Sequence, residues 1–423
     1  MYRILGLVFL LISQMAIAQN TTQLSLNECY QSAATNYPVA KLKEYNQSAT
    51  ALKLKNLQAN WLPVFELGGQ ATYQSDVTKI DITIPIPGFS IPTPNQEQYK
   101  ATLDIRQTLY DGGATALQRK MEEADLSVEN QNVEVQLYQL KEQVNRAFFS
   151  VLVFEETAKQ LQLTLDDLNS RLKIVESGVA NGVLLPIEAD RMKAEIIKLQ
   201  QQQIEIKLSR KSSIEVLQEL TGKVLTDLVL LQMPVFNSVM SNDFNRPEFK
   251  LFDYQKQKLD LAADMTRIKL MPKVGAFAQL GYGNPGLNML NDEFDSYYLV
   301  GARVTWTPWD WRNSSRERQV FAIKQQSVDV QRDALTTNLT INQKRLLSEI
   351  EKLETLIQKD DEIIALRQKI TKAAASQLEN GVITATEYIT ELNAENQARI
   401  KREVRKVQLL MNRADYNVVT GLD

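Results

Sequence analysis

Two adjacent carboxylate pairs, Asp166-Asp167 and Asp360-Asp361, are the first side chains to weigh for acid–base chemistry. A working pair needs two environments that hold one carboxyl protonated and the other ionised. Both pairs instead fall in charged helical runs and read as solvated faces. There is no histidine among the 423 residues, which removes the commonest general base and the commonest transition-metal ligand. The single cysteine, Cys29, permits neither an internal disulfide nor a thiolate zinc cluster. In Leu26-Asn27-Glu28-Cys29 it reads as a small buried residue on a helix. Gly281-Tyr282-Gly283 is glycine-rich but lies on a hairpin, the wrong place for a phosphate loop. No catalytic site, cofactor or metal is therefore expected. The net charge of -3 makes no case for nucleic acid, which calls for a clustered basic face.

The start of the chain reads as a secretory leader. Arg3 is the positive flank, Ile4 to Ile12 a short apolar run, and Ala16-Ile17-Ala18 a small-x-small cleavage site that sets the mature start at Gln19. No later stretch approaches the ~20 apolar residues of a membrane helix. An exported chain of this kind is periplasmic, secreted, or an outer-membrane barrel.

The rest is written twice. Asn36-Tyr37-Pro38 recurs as Asn245-Arg246-Pro247, and Trp61-Leu62-Pro63-Val64 as Leu270-Met271-Pro272-Lys273, each 209 positions on. Asn181-Gly182-Val183 with Glu188 recurs as Asn380-Gly381-Val382 with Glu387, and Thr221-Gly222 as Thr420-Gly421, each 199 positions on. The Pro-rich segment Asp76 to Gln98, with Pro85, Pro87, Pro92 and Pro94, accounts for the change of offset. Each half reads as helix, hairpin, long helix, turn, helix. The helical stretches are Leu26 to Asn60, Gly113 to Ser177, Leu184 to Leu220, Glu248 to Leu270, Asn313 to Glu379 and Thr386 to Val419. They are rich in strong helix formers, and Leu137, Leu140, Val144, Phe148 and Val151 mark a packed stripe. About 65 residues without proline would extend ~100 Å, a length that calls for a coiled-coil-like assembly.

Four segments alternate with period two: Val64 to Gln74, Tyr99 to Tyr110, Val274 to Tyr282 and Tyr297 to Pro308. Ten alternating residues suit a tilted transmembrane strand, and Trp61, Tyr73, Tyr99, Tyr110, Tyr297, Tyr298, Trp306, Trp309 and Trp311 suit interfacial belts. The alternation predicts Leu67, Ala71, Leu103, Ile105, Ala278, Val300, Ala302 and Val304 on a lipid face. Glu66, Asp104, Arg106 and Arg303 are expected to line a lumen. Four strands cannot close a barrel, and an open edge cannot face lipid. Three copies supply twelve strands with a usable lumen, whereas two copies supply only the smallest barrel.

The duplication, the Leu-Pro strand entry, the Tyr110-Asp111-Gly112-Gly113 exit and the Asn-Gly-Val helix tips together resemble the TolC family of outer-membrane efflux proteins, over essentially all of Gln19 to Asp423. That resemblance implies a homotrimer: a twelve-stranded transmembrane β-barrel continuing into a long periplasmic α-helical barrel. It implies a non-enzymatic exit duct of a tripartite efflux or type I secretion system, fed by an inner-membrane pump through a periplasmic adaptor. The implied segments are a leader (1–18), periplasmic helices (19–60), a first hairpin (61–111) and long helices (112–222). An equatorial linker (223–247), a helix (248–271), a second hairpin (272–310) and long helices (311–423) follow. Gly178, Asn181, Gly182 and Val183, with Asn380, Gly381 and Val382, become adaptor-docking tips. Glu387 aligns with an acidic gate position, with Glu188 as its first-half equivalent and Glu391 beside the next gate position, Thr390. An arginine that helps lock the closed state in the family would fall on Ile383, so that ion pair is absent. The lack of histidine and of methionine clusters argues against a dedicated copper or zinc exporter. The rival reading is an exported soluble coiled-coil scaffold, which leaves the leader and the aromatic-capped strands unexplained.

Overall fold

The computed structural model describes residues 23–78, 93–227, 229–236, 243–289 and 291–422. The expected leader with its cut at Gln19, and Pro85, Pro87 and Pro92 of the first hairpin loop, lie outside the described residues, as do 228 and 237–242 of the linker.

In chain order the elements are β1 (Gln23–Leu24), α1 (Leu26–Asn36), a 3-10 turn (Pro38–Lys41), α2 (Leu42–Ala59), β2 (Val64–Tyr73), β3 (Glu97–Tyr110) and α3 (Ala114–Ala180). After these come α4 (Pro186–Thr221), β4 (Leu230–Leu231), α5 (Pro247–Ile268), β5 (Lys273–Asn284), β6 (Asp295–Thr305), α6 (Asn313–Glu379) and α7 (Ala385–Thr420). The repeat is visible in the lengths: α3 and α6 have 67 residues each, α4 and α7 have 36 each. Two expectations are corrected. Leu26 to Asn60 is not one helix, because Tyr37 precedes a proline and takes extended angles (φ -63°, ψ 136°) that end α1. The second returning strand also ends earlier than expected, at Thr305, which leaves Trp306 to Pro308 beyond the sheet.

The described residues divide into two compact units. One is drawn from Met1–Lys41, Val133–Pro247 and Asp333–Asp423, the other from Leu42–Asn132 and Glu248–Arg332.

The first unit holds two apolar cores. In one, Leu137, Leu140, Val144, Phe148 and Val151 of α3 pack with Cys29 of α1, Ile214 and Leu217 of α4 and Val407 of α7. The stripe read from the sequence is thus the inner face of α3, and Cys29 is fully buried within it. In the other, Leu165 and Leu168 of α3 meet Met192 and Ile196 of α4, Leu378 of α6 and Tyr388 of α7. Each deeply buried Leu or Phe contributes about 1.5–3 kcal/mol by leaving water. A two-residue parallel pair, β1 with β4, ties the start of the described chain to the linker.

The second unit is built on one four-stranded antiparallel sheet in the order β2-β3-β5-β6. The helices in this unit carry surface ion pairs such as Lys256 with Asp329 at 2.9 Å and Lys269 with Glu317 at 2.7 Å. Exposed pairs of this kind are worth little individually. Among the described residues no helix is long and apolar enough to cross a membrane.

Candidate functional site

The sheet's register separates its faces. Leu67, Leu103, Leu280 and Tyr298 lie directly opposite one another across the four strands, as do Ile105, Ala278 and Val300. Directly paired residues point to the same side, and alternate residues to opposite sides. All eight residues expected on the apolar face therefore share it. Leu67 is 85% and Val300 70% exposed, while Leu103, Ile105 and Ala278 are half-buried, and no helix of the described residues packs over Leu67 or Val300.

Glu66, Asp104, Arg106 and Arg303 fall on the other side, where they are partnered. Arg106 pairs with Glu66 on the neighbouring strand. Asp104 accepts hydrogen bonds from Gln279 Nε2 at 2.7 Å and from the Thr102 hydroxyl at 3.0 Å. The Arg303 guanidinium lies over the Phe277 ring, 5.4 Å from its centroid. Leu299, which breaks the alternation, shares this polar side because it pairs with Gln279. The outer strands β2 and β6 each pair on one side only.

In the first unit, both helical hairpins end in the same turn. Gly182 (φ 73°) and Gly381 (φ 68°) take the left-handed conformation that closes α3 and α6. Val183 N–H donates to the Gly178 carbonyl at 2.8 Å, and Val382 N–H to the Gln377 carbonyl at 2.8 Å. Gly182 and Gly381 donate to Val179 and Leu378, both at 3.0 Å, which completes two Schellman motifs. Asn181 and Asn380 turn their amides back to the carbonyls of Ser177 and Ser376, at 2.9 and 2.8 Å. Val183 and Val382 are left 64% and 69% exposed at the turns.

The helices that restart after these turns are capped differently. Thr384 and Glu387 form a capping box at the start of α7. Glu387 accepts from the Thr384 N–H at 2.8 Å and hydroxyl at 3.1 Å, and its own N–H donates to the Thr384 hydroxyl at 3.3 Å. The Thr384 backbone hydrogen bond, with the hydroxyl, holds the exposed Glu387 carboxyl below its usual pKa. The equivalent of Thr384 in the first half is Leu185, which has no side-chain oxygen to offer. Glu188 therefore caps elsewhere: it is buried, pairs with Arg191 at 3.1 Å and accepts from the Ala385 N–H of α7 at 2.7 Å. Glu391 pairs with Arg367 at 2.8 Å. Glu387, Glu188 and Glu391 thus each hold a partner in their own chain. Two contacts the sequence reading missed tie the hairpins further: the Tyr388 hydroxyl donates to Asp167 at 2.7 Å, and Arg171 pairs with Glu379. Asp167, from one of the carboxylate pairs weighed for acid–base chemistry, is thereby engaged in packing.

Solved outer-membrane channels share the fold over almost the whole chain. A CusC structure superposes with a TM-score of 0.67 at 12% identity, covering 94% of this chain and 92% of that one. The Campylobacter jejuni CmeC outer membrane channel gives 0.63 at 14%, covering 94% and 85%. The outer membrane protein VceC from Vibrio cholerae gives 0.62 at 13%, covering 93% and 94%. Residues 30–223 match the family model described as outer membrane efflux protein. A sequence comparison with curated proteins gives no match. Over residues 30–223, a little under half of its length, the chain is similar to the outer membrane efflux proteins. The likeness to the solved channels establishes the fold. The rival reading, a soluble scaffold, finds no support.

Proposed function

We propose that three copies of the chain close a twelve-stranded barrel, β6 of one copy pairing with β2 of the next, and that the lumen continues through the helices as a passive exit duct. The observation that carries this is the four-stranded sheet with two half-paired outer strands, one apolar exposed face and one polar face. In lipid every backbone group must be paired, so such a sheet requires other copies for closure. The apolar side then meets lipid, and Glu66, Asp104, Arg106 and Arg303 line the water path. The duct performs no chemistry. It receives substrate from an inner-membrane pump through a periplasmic adaptor that docks on the turns at Gly178–Val183 and Asn380–Val382. Glu387 lies towards the axis at the periplasmic end. Along the chain, 61–111 and 272–310 are the membrane hairpins, 223–247 the equatorial linker, and the remaining mature segments the periplasmic helices.

The test is native mass spectrometry of detergent-solubilised protein together with conductance in planar bilayers. A trimer with stepwise conductance is expected. A stable, closed monomer would overturn the reading.

A further inference from the structure

The returning strands β3 and β6 reach their helices through equivalent turns, Asp111–Gly113 and Asp310–Arg312, 199 positions apart. In each, the aspartate caps the helix that follows. Asp111 accepts from the N–H groups of Gly113 at 2.9 Å and Thr115 at 2.6 Å; Asp310 accepts from the Ser314 N–H at 2.7 Å. Both turns place the next two residues in the left-handed region. In the first these are Gly112 (φ 72°) and Gly113 (φ 89°); in the second they are Trp311 (φ 54°) and Arg312 (φ 64°). A Cβ in that region crowds the following carbonyl, so the backbone asks for glycine.

The second turn keeps two large side chains against that cost, and they do not fill the interior. Trp311 is 78% exposed. Arg312 is exposed and forms no ion pair among the described residues. Arg316 donates to the Trp311 carbonyl at 3.1 Å and steadies the turn. The Trp309 ring meets Trp311 edge-on, 5.9 Å between centroids. Trp306 follows Val304 at the spacing of the apolar face and donates its indole N–H to the Leu270 carbonyl at 3.0 Å. Three of the chain's four tryptophans thus lie within six positions, all exposed.

We propose that this turn is a phospholipid anchor: Trp306, Trp309 and Trp311 lie at the headgroup–acyl boundary, and Arg312 and Arg316 hold an anionic headgroup. The proposal rests on the apolar sheet face meeting lipid. Exposed Tyr298, Val300 and Val304 lead along that face to Trp306, which makes the bilayer the continuous occupant. An indole is an apolar ring with one N–H and suits that boundary. A guanidinium matches phosphate bidentately. Strain kept at an exposed surface points to function rather than packing.

The test uses the full chain in phosphatidylcholine vesicles. With Trp61, Trp306 and Trp309 changed to Phe, Trp311 is the only reporter. Its fluorescence should be quenched by lipids brominated near the headgroup. A companion with all four tryptophans changed to Phe and Val300→Trp reports the sheet face and should be quenched by lipids brominated deeper in the chain. Separately, Arg312→Gln on the otherwise natural chain should weaken phosphatidylglycerol binding, counted as adducts in native mass spectrometry, by about fivefold. Quenching of Trp311 by aqueous iodide alone would assign the turn to the lumen. Protection from both quenchers would assign it to a neighbouring copy. Undiminished lipid binding by Arg312→Gln would remove the headgroup site. Each of these overturns the anchor while a quenched Val300→Trp leaves the membrane reading standing; an unquenched Val300→Trp overturns both.

Discussion

Glu188 and Ala385 are joined by a 2.7 Å hydrogen bond, so a carboxylate in the first turn of α4 caps the first turn of α7 from the other half of the chain. The bond is buried, and the amide it satisfies has no partner within its own helix. Glu188→Ala should cost about 1–3 kcal/mol, because it strands a buried donor. Amide hydrogen exchange checks this: Ala385 should exchange faster in Glu188→Ala, and at its natural rate in Glu387→Ala, whose capping box serves Thr384.

That contrast marks the boundary of what was legible. Hydrophobic period alone placed the stripe from Leu137 to Val151 and the four strands, because burial imposes spacing on residues near in sequence. The Thr384-x-x-Glu387 box was also readable. Its absence at Leu185 was the signal that Glu188 must do something else, yet its partner lies 197 residues away, where only the fold brings it. The break at Pro38 was a local signal passed over, since the residue before proline resists the helical region.

Two carboxyls in the first unit should respond to pH with opposite sign. Burial raises the Asp415 pKa above its ordinary value, offset only in part by the Asn145 amide, which donates to it at 2.7 Å. Its favourable contribution is present below the ordinary carboxylate pKa and is lost as pH rises through the raised one. The Glu387 pKa is depressed, so its contribution is present above the ordinary value and is lost as pH falls through the lowered one. Asp415→Asn should therefore stabilise the unit at neutral pH, and Thr384→Ala should remove the acid-side dependence at the α7 cap. Exchange rates across a pH series read both.

The register makes adjacent positions on β3 unequal. Leu103 lies between Leu67 and Leu280, whereas Thr102 lies between Gly68 and Gly281 on the polar side. An arginine at mid-bilayer on the lipid side costs ~2–4 kcal/mol, and on the lumen side far less. Leu103→Arg should reduce the yield of assembled trimer in membranes, while Thr102→Arg should assemble normally. Equal yields would contradict the face assignment.

The exposed valines at the two turns offer a clean probe of docking. Val183 and Val382 hold the turns through backbone N–H groups, so a changed side chain leaves those bonds intact. Val183→Asp with Val382→Asp should abolish export and adaptor crosslinking at Asn181, with the helical circular dichroism unchanged. Normal export from that double variant would place the adaptor elsewhere.

The last prediction separates the two aligned acids by their surroundings. Glu387 is exposed and keeps its carboxylate in its own capping box, whereas Glu188 is buried against Ala385. Three copies of an exposed carboxylate around a narrow axis would form an acidic ring that favours cations. A buried carboxylate already paired with Arg191 adds little to that field. In planar bilayers, Glu387→Gln should lower cation selectivity and weaken block by multivalent cations. Glu188→Gln should leave selectivity as it was and instead make the conductance noisier, because the link between the helix starts is weakened. If Glu387→Gln leaves selectivity unchanged, Glu387 serves only as the cap of α7, and the charge that selects ions lies elsewhere along the duct.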